Sequence, residues 1–159
     1  MKALPRLTLL ALTCLVVAAP AGAAGQLQNV ATFTTSTMQM RIATYTDGAN
    51  RVALIGLMPL APGARRSSIA LELGEWQRLQ ALFPAARDLA TSTRKVAGII
   101  SETGTDQQCV IIVHGGTSML VTLVDPERGQ ALMYPVPPDQ LPAIMAALEK
   151  ARVYIASAN

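Results

Sequence analysis

Twice along this 159-residue chain the spacing of apolar side chains changes from every second residue to every third or fourth. Each time, strand-type segments give way to a helix. In the first block, Val30 to Thr46 is rich in Thr, Val, Phe, Ile and Tyr, residues that suit a pleated surface. From Met38 the alternation is plain, with Met38, Met40 and Ile42 on one face and Gln39 and Arg41 on the other. Thr46 to Asn50 reads as a turn, Arg51 to Met58 as a strand, Pro59 to Arg66 as a loop and Ser68 to Leu73 as a further strand. Trp76, Leu79, Leu82 and Phe83 then take up helical spacing from about Glu75. Pro84 is expected to kink or interrupt that helix, because it has no amide donor and crowds the preceding turn.

The second block repeats the order more compactly. Val96 to Glu102, Cys109 to His114, Met119 to Val124 and Gln130 to Val136 read as strands, divided by turns at Thr103–Asp106, Gly115-Gly116 and Asp125–Gly129. A helix follows from near Asp139, a suitable N-cap, with Pro142 tolerable in its first turn. Overlaid at an offset of about 65 residues, Val30-Ala31 matches Val96-Ala97, the strand with Val52, Leu54 and Ile55 matches that with Leu120 and Val121, and Leu79 meets Ile144. The expected class is α+β: two repeats of a mostly antiparallel four-strand sheet followed by a helix, over 24–95 and 96–159, sharing one core. A single α+β domain whose patterns recur by chance is the alternative.

Residues 1–23 have the three parts of a secretory signal peptide. Lys2 and Arg6 form a positive start, Leu7 to Ala19 an apolar run, and Ala21-Gly22-Ala23 a small-x-small cleavage site. The run falls well short of the roughly twenty apolar residues a membrane span needs. A periplasmic or secreted bacterial product, cleaved near Ala23, is therefore expected, with no membrane span. Cys14 lies too early, and in the wrong company, for a lipoprotein site. Losing Lys2 and Arg6 leaves eleven Lys and Arg against ten Asp and Glu, so the mature charge is close to neutral. The broad basic footprint of a nucleic-acid binder is then missing. Cys109 remains as a lone thiol in Cys-Val-Ile-Ile-Val, the setting of a buried structural residue.

Catalytic constellations are thin. His114 is the only histidine, so a histidine-rich metal cluster is excluded. Cys109 and His114 stand five apart in a strand and so fall on opposite faces. Ser118 and Asp125 with His114 form a conceivable triad, but no nucleophile-elbow sequence accompanies them. The glycines of His114-Gly115-Gly116-Thr117-Ser118 precede a strand rather than a helix, so they read as a hairpin and not as a phosphate cradle. No catalytic residue, metal ligand or cofactor site is expected.

Ile69, Leu71, Trp76 and Leu79 have the spacing of the strand-to-helix junction in the positive cofactor four family of transcriptional coactivators. Pro62-Gly63 with Arg65-Arg66 sits where that family has a Pro-Gly-basic stretch. Residues 38–90 resemble that family, and the duplicated unit resembles the related Whirly fold, which carries two copies in one chain. The resemblance implies single-stranded nucleic-acid binding across the sheets, with Arg41, Tyr45, Arg51, Arg65 and Arg66 as the binding residues. Trp76 reads more simply as an anchor between helix and sheet.

Val52 to Met58, Val110 to Val113 and Met119 to Val124 are apolar on both faces, where a sheet with one wet face would alternate. Their second face must be covered by the other repeat or by another chain. The reading that follows is a small exported, non-catalytic binding or accessory protein working through protein–protein contacts, with a protein partner or a second copy. Nucleic-acid binding is the alternative, and a small hydrolase stands third.

Overall fold

A computed structural model describes residues 25–89, 94–114 and 118–157. The leader-like segment 1–23 and the Gly115-Gly116 turn lie outside them. Four antiparallel strands, β1 (Gln26–Thr34), β2 (Met38–Asp47), β3 (Asn50–Pro59) and β4 (Ser67–Leu71), form a sheet in sequential order, followed by helix α1 (Leu73–Asp88). The pattern recurs in β5 (Lys95–Ser101), β6 (Gln108–His114), β7 (Ser118–Asp125), β8 (Gln130–Val136) and α2 (Leu141–Ala156). The fold is α+β, two antiparallel four-strand sheets each followed by a helix. The ten described elements all lie beyond residue 25, so a chain beginning at Ala24 contains each of them.

Each helix crosses over to the sheet of the other unit. α1 packs on β5 and β6, while α2 packs on β1, β2 and β3. The helices also pack together, where the Trp76 indole N–H donates to the Leu148 carbonyl at 2.9 Å and Gln80 donates to Glu149 at 2.8 Å. Arg152 grips the same carboxylate through two hydrogen bonds, at 2.8 and 2.6 Å. These bonds, Arg152 first and Gln80 second, hold the Glu149 carboxyl down at about 2. Met40, Ile42, Ile55, Ile69, Trp76, Leu79 and Phe83 join Ile111, Val121, Leu123, Tyr134, Ile144 and Leu148 in one continuous core. The apolar inward rows meet across the molecule, so neither unit buries its sheet alone.

The repeat extends to a detail that no pattern of residue types announces. β1 and β5 each carry a register shift at the corresponding place, between Asn29 and Ala31 and between Val96 and Gly98. The extra residues are Val30 and Ala97, so the correspondence drawn from sequence moves by one position there. It moves again in the helices. With starts at Leu73 and Leu141, Trp76 rather than Leu79 corresponds to Ile144.

Two local expectations are corrected. α1 runs unbroken through Pro84, because Leu79, Phe83 and Ala86 are buried on one side and hold the helix against the second sheet. α2 starts at Leu141 with Gln140, not Asp139, at the N-cap position. Gln140 is held by tertiary contacts instead: it accepts a 2.6 Å hydrogen bond from the Tyr134 hydroxyl and donates to the Thr34 carbonyl at 3.2 Å.

Gly98 marks a close approach of α1 to the second sheet. A β-carbon built there lies 2.4 Å from a methyl of Leu82. Gly98→Val is expected to lower stability by about 1–3 kcal/mol through overpacking. Adding Leu82→Ala should recover part of that loss, a coupling that urea denaturation of the two single variants and the double variant measures directly.

Candidate functional site

Residue parity separates the two faces of the first sheet. Met38, Met40, Ile42, Ala53, Ile55, Leu57, Ile69 and Leu71 point into the core, so Gln39, Arg41, Ala43, Tyr45, Val52, Leu54, Gly56 and Ser68 face outward. That outward face is concave. A groove of about 460 Å³ has Ala43, Leu54 and Gly56 on its floor, Leu27 and Met58 on its walls, and Arg41, Arg66 and Ser68 among its lining. Gly56 keeps the floor open, since a β-carbon there would meet only ordinary contacts, at 3.7 Å from Ser68.

A second concavity of about 520 Å³ shares Met58 and Arg66 with the first and adds Ala64, Arg65 and Arg128. Its arginines come from corresponding connections of the two units, the β3–β4 loop and the β7–β8 turn. The loop is shaped by Ala61-Pro62-Gly63-Ala64, where the Ala64 N–H donates to the Ala61 carbonyl and Gly63 takes φ +73. Proline second and glycine third meet the backbone demand of a type II turn. The β7–β8 turn is built on buried Asp125, which accepts the Arg128 backbone N–H at 3.1 Å and lies 3.5 Å from its guanidinium. Gln130 reaches across to the Arg65 carbonyl at 3.5 Å, fixing one turn against the other.

Of the five residues named from sequence, Arg41 and Arg66 line the first groove, and Arg65 and Arg66 the second. Arg41 donates to Asn29 at 2.7 Å, which lays its side chain along β1. Arg65 and Arg66 make no salt bridge among the described residues. Tyr45 shares the outward face, but its half-buried ring lies over the backbone of Gly25, where a β-carbon would overlap it. Arg51 is on the other face. Its guanidinium sits 5.1 Å from the Tyr154 ring centre and donates to the Tyr154 carbonyl at 3.2 Å and to Ser157 at 3.0 Å. There it satisfies the carbonyl end of α2, where a cation is favourable. Arg128 went unrecognised in the sequence, although its place in the repeat, opposite Arg65-Arg66, was the available signal.

The conceivable triad is not assembled. His114 and Ser118 are backbone partners at one end of the β6–β7 hairpin, and Asp125 is at the other end of β7, roughly 23 Å away at strand rise. Among the described residues no three of His, Cys, Asp and Glu gather closely enough to hold a metal ion. No helix there is long and apolar enough to cross a membrane.

No protein-family model matches the chain, and neither does any curated protein. The groove must therefore be interpreted from its own chemistry. It joins an apolar floor to arginines at the rim, an arrangement that suits a ligand carrying both apolar and acidic groups.

Proposed function

We propose that this is an exported, non-catalytic binding protein that takes an extended, acidic and apolar segment of a partner protein into the groove on its first sheet. The observation that carries this reading is the placing of Arg41 and Arg66 along a groove floored by Ala43, Leu54 and Gly56, which adjoins through Arg66 a second concavity lined by Arg65 and Arg128. Apolar side chains of the segment fill the floor, which supplies most of the affinity. Its carboxylates meet the arginines, which select the partner and speed encounter. The signal-like segment 1–23 supports a site of action in the periplasm or outside the cell.

Single-stranded nucleic acid is the second reading. It is favoured by the same arginines and by the resemblance to the positive cofactor four and Whirly proteins. Against it, the face offers one aromatic ring, Tyr45, and that ring is packed over Gly25.

Fluorescence anisotropy of the chain beginning at Ala24 separates the two. The probes are a labelled ten-residue peptide of alternating Glu and Leu, its Lys-and-Leu counterpart, and oligothymidine. The acidic peptide is expected to bind, and Gly56→Leu, which fills the floor, and Arg66→Glu, which reverses a rim charge, should each weaken it at least about tenfold. Equal binding of the acidic and basic peptides, or indifference to Gly56→Leu, overturns the peptide reading. Tight oligothymidine binding that falls with salt installs the second in its place.

A further inference from the structure

The second sheet also has an outward face, and it is of a different kind. One row crosses all four strands through Ile99, Val110, Thr122 and Met133. Ile99 and Met133 at its ends are 54% and 48% exposed, whereas Thr122 in the middle is 5% exposed. The Thr122 hydroxyl is closed over by its neighbours and has no hydrogen-bond partner. The middle of the row therefore excludes water, although α1 lies on the opposite side of the sheet and, among the described residues, no helix packs on this one. Val96, 56% exposed, extends the apolar surface along β5.

We propose that this face is a homodimer interface, covered in solution by the same face of a second copy of the chain. Three observations favour that occupant. First, the row carries no charged side chain, in contrast with the first sheet's Arg41 and Arg66. A charged partner would lose hydration there with nothing in return, whereas a second copy is matched in polarity and extent. Second, pairing by edges is blunted on both sides, by the bulge in β5 and by Pro135 in β8, so contact through the face is the available mode. Third, the extent fits a small interface. Four strands spaced about 4.8 Å apart and about seven residues long present roughly 450 Å² in projection.

Mating two such faces removes about 900 Å² before side-chain relief is counted, below the ~1,200 Å² at which specific stable interfaces begin and in the range of weak, transient ones. The dimer is thus a weak, reversible one. It is independent of the groove, which lies on the other sheet.

Sedimentation velocity of the chain beginning at Ala24, from about 1 to about 200 μM, tests this. The expected result is a monomer that becomes a dimer across that range. Ile99→Lys and Met133→Lys, both at exposed positions, should each move the midpoint up at least about tenfold while leaving the circular dichroism spectrum unchanged. If one variant fails to fold, the other and the unaltered chain still decide the matter. A monomer at every concentration overturns the proposal, as does a dimer that both lysine variants leave intact. A monomer that cosediments with phosphatidylcholine vesicles, and loses that with Ile99→Lys, reassigns the face to a lipid surface.

Discussion

Trp76→Ala is expected to remove about 4 kcal/mol of stability, a large share of the ~5–15 kcal/mol that holds a domain of this size. Trp76 is fully buried, and its indole N–H bonds to the Leu148 carbonyl across the helix–helix contact. Truncation opens a cavity between the two units and removes a hydrogen bond that joins them. Trp76→Phe keeps most of the ring and loses only the donor, so it should cost about 1–2 kcal/mol. Urea denaturation followed by circular dichroism gives both values. Because the units share one core, unfolding is expected in a single transition before and after substitution. A loss below about 1.5 kcal/mol for Trp76→Ala, or two separate transitions in the unaltered chain, would show that the crossed helices do not couple the units.

The Cys109 thiol is expected to resist alkylation and disulfide reagents until the protein unfolds. It is fully buried between Ile100 and Leu123 in the inward rows, and burial pushes it from 9.0 up to about 12. At pH 8 the shift alone lowers the reactive thiolate fraction about a thousandfold, before steric exclusion is counted. The same shift gives a direction for alkaline stability. The folded state holds the proton more tightly than the unfolded chain, so this contribution is whole below pH 9.0. It is lost as pH rises toward about 12, at roughly 1.4 kcal/mol per pH unit. Labelling with a chromogenic disulfide, with and without urea, measures the protection. Stoichiometric reaction within minutes under native conditions at pH 8 refutes it.

The limits of sequence reading show in the arginines. Arg41 and Arg51 are grouped by the resemblance to the positive cofactor four family, which carries no information on which face of the sheet each takes. Their faces depend on hairpin register, and register depends on how many residues the turn consumes. The turn read as Thr46 to Asn50 is a two-residue loop, Gly48-Ala49, closed by an Asp47–Asn50 pair, with positive φ at Gly48 alone. Counting outward from that pair sets Arg41 opposite Gly56 and Arg51 opposite Thr46, on contrary faces. Arg128 shows the complementary case: on the sequence it is an isolated charge in a tight turn. It joins Arg65 and Arg66 because the corresponding connections of the two units meet in space.

What the sequence by itself determined was the order and type of the elements. Period-two and helical spacing are local properties, written within a few residues, and they placed Gln130–Val136 as found and most other elements near their observed bounds, whereas the break between β1 and β2 left no such mark and Val30 to Thr46 read as one stretch. Which faces would be buried was decided by tertiary structure. β3, β6 and β7 are apolar on both sides, so in them spacing could not distinguish the face that meets the other unit from the one that stays open. Only the crossing of α1 to the second sheet and α2 to the first settled it. That crossing places residues distant in sequence in contact, Trp76 with Leu148 and Arg51 with Tyr154. Among the described residues it leaves the outward faces of both sheets without a helix, because each sheet has one helix to cover it and that helix lies on the inward side.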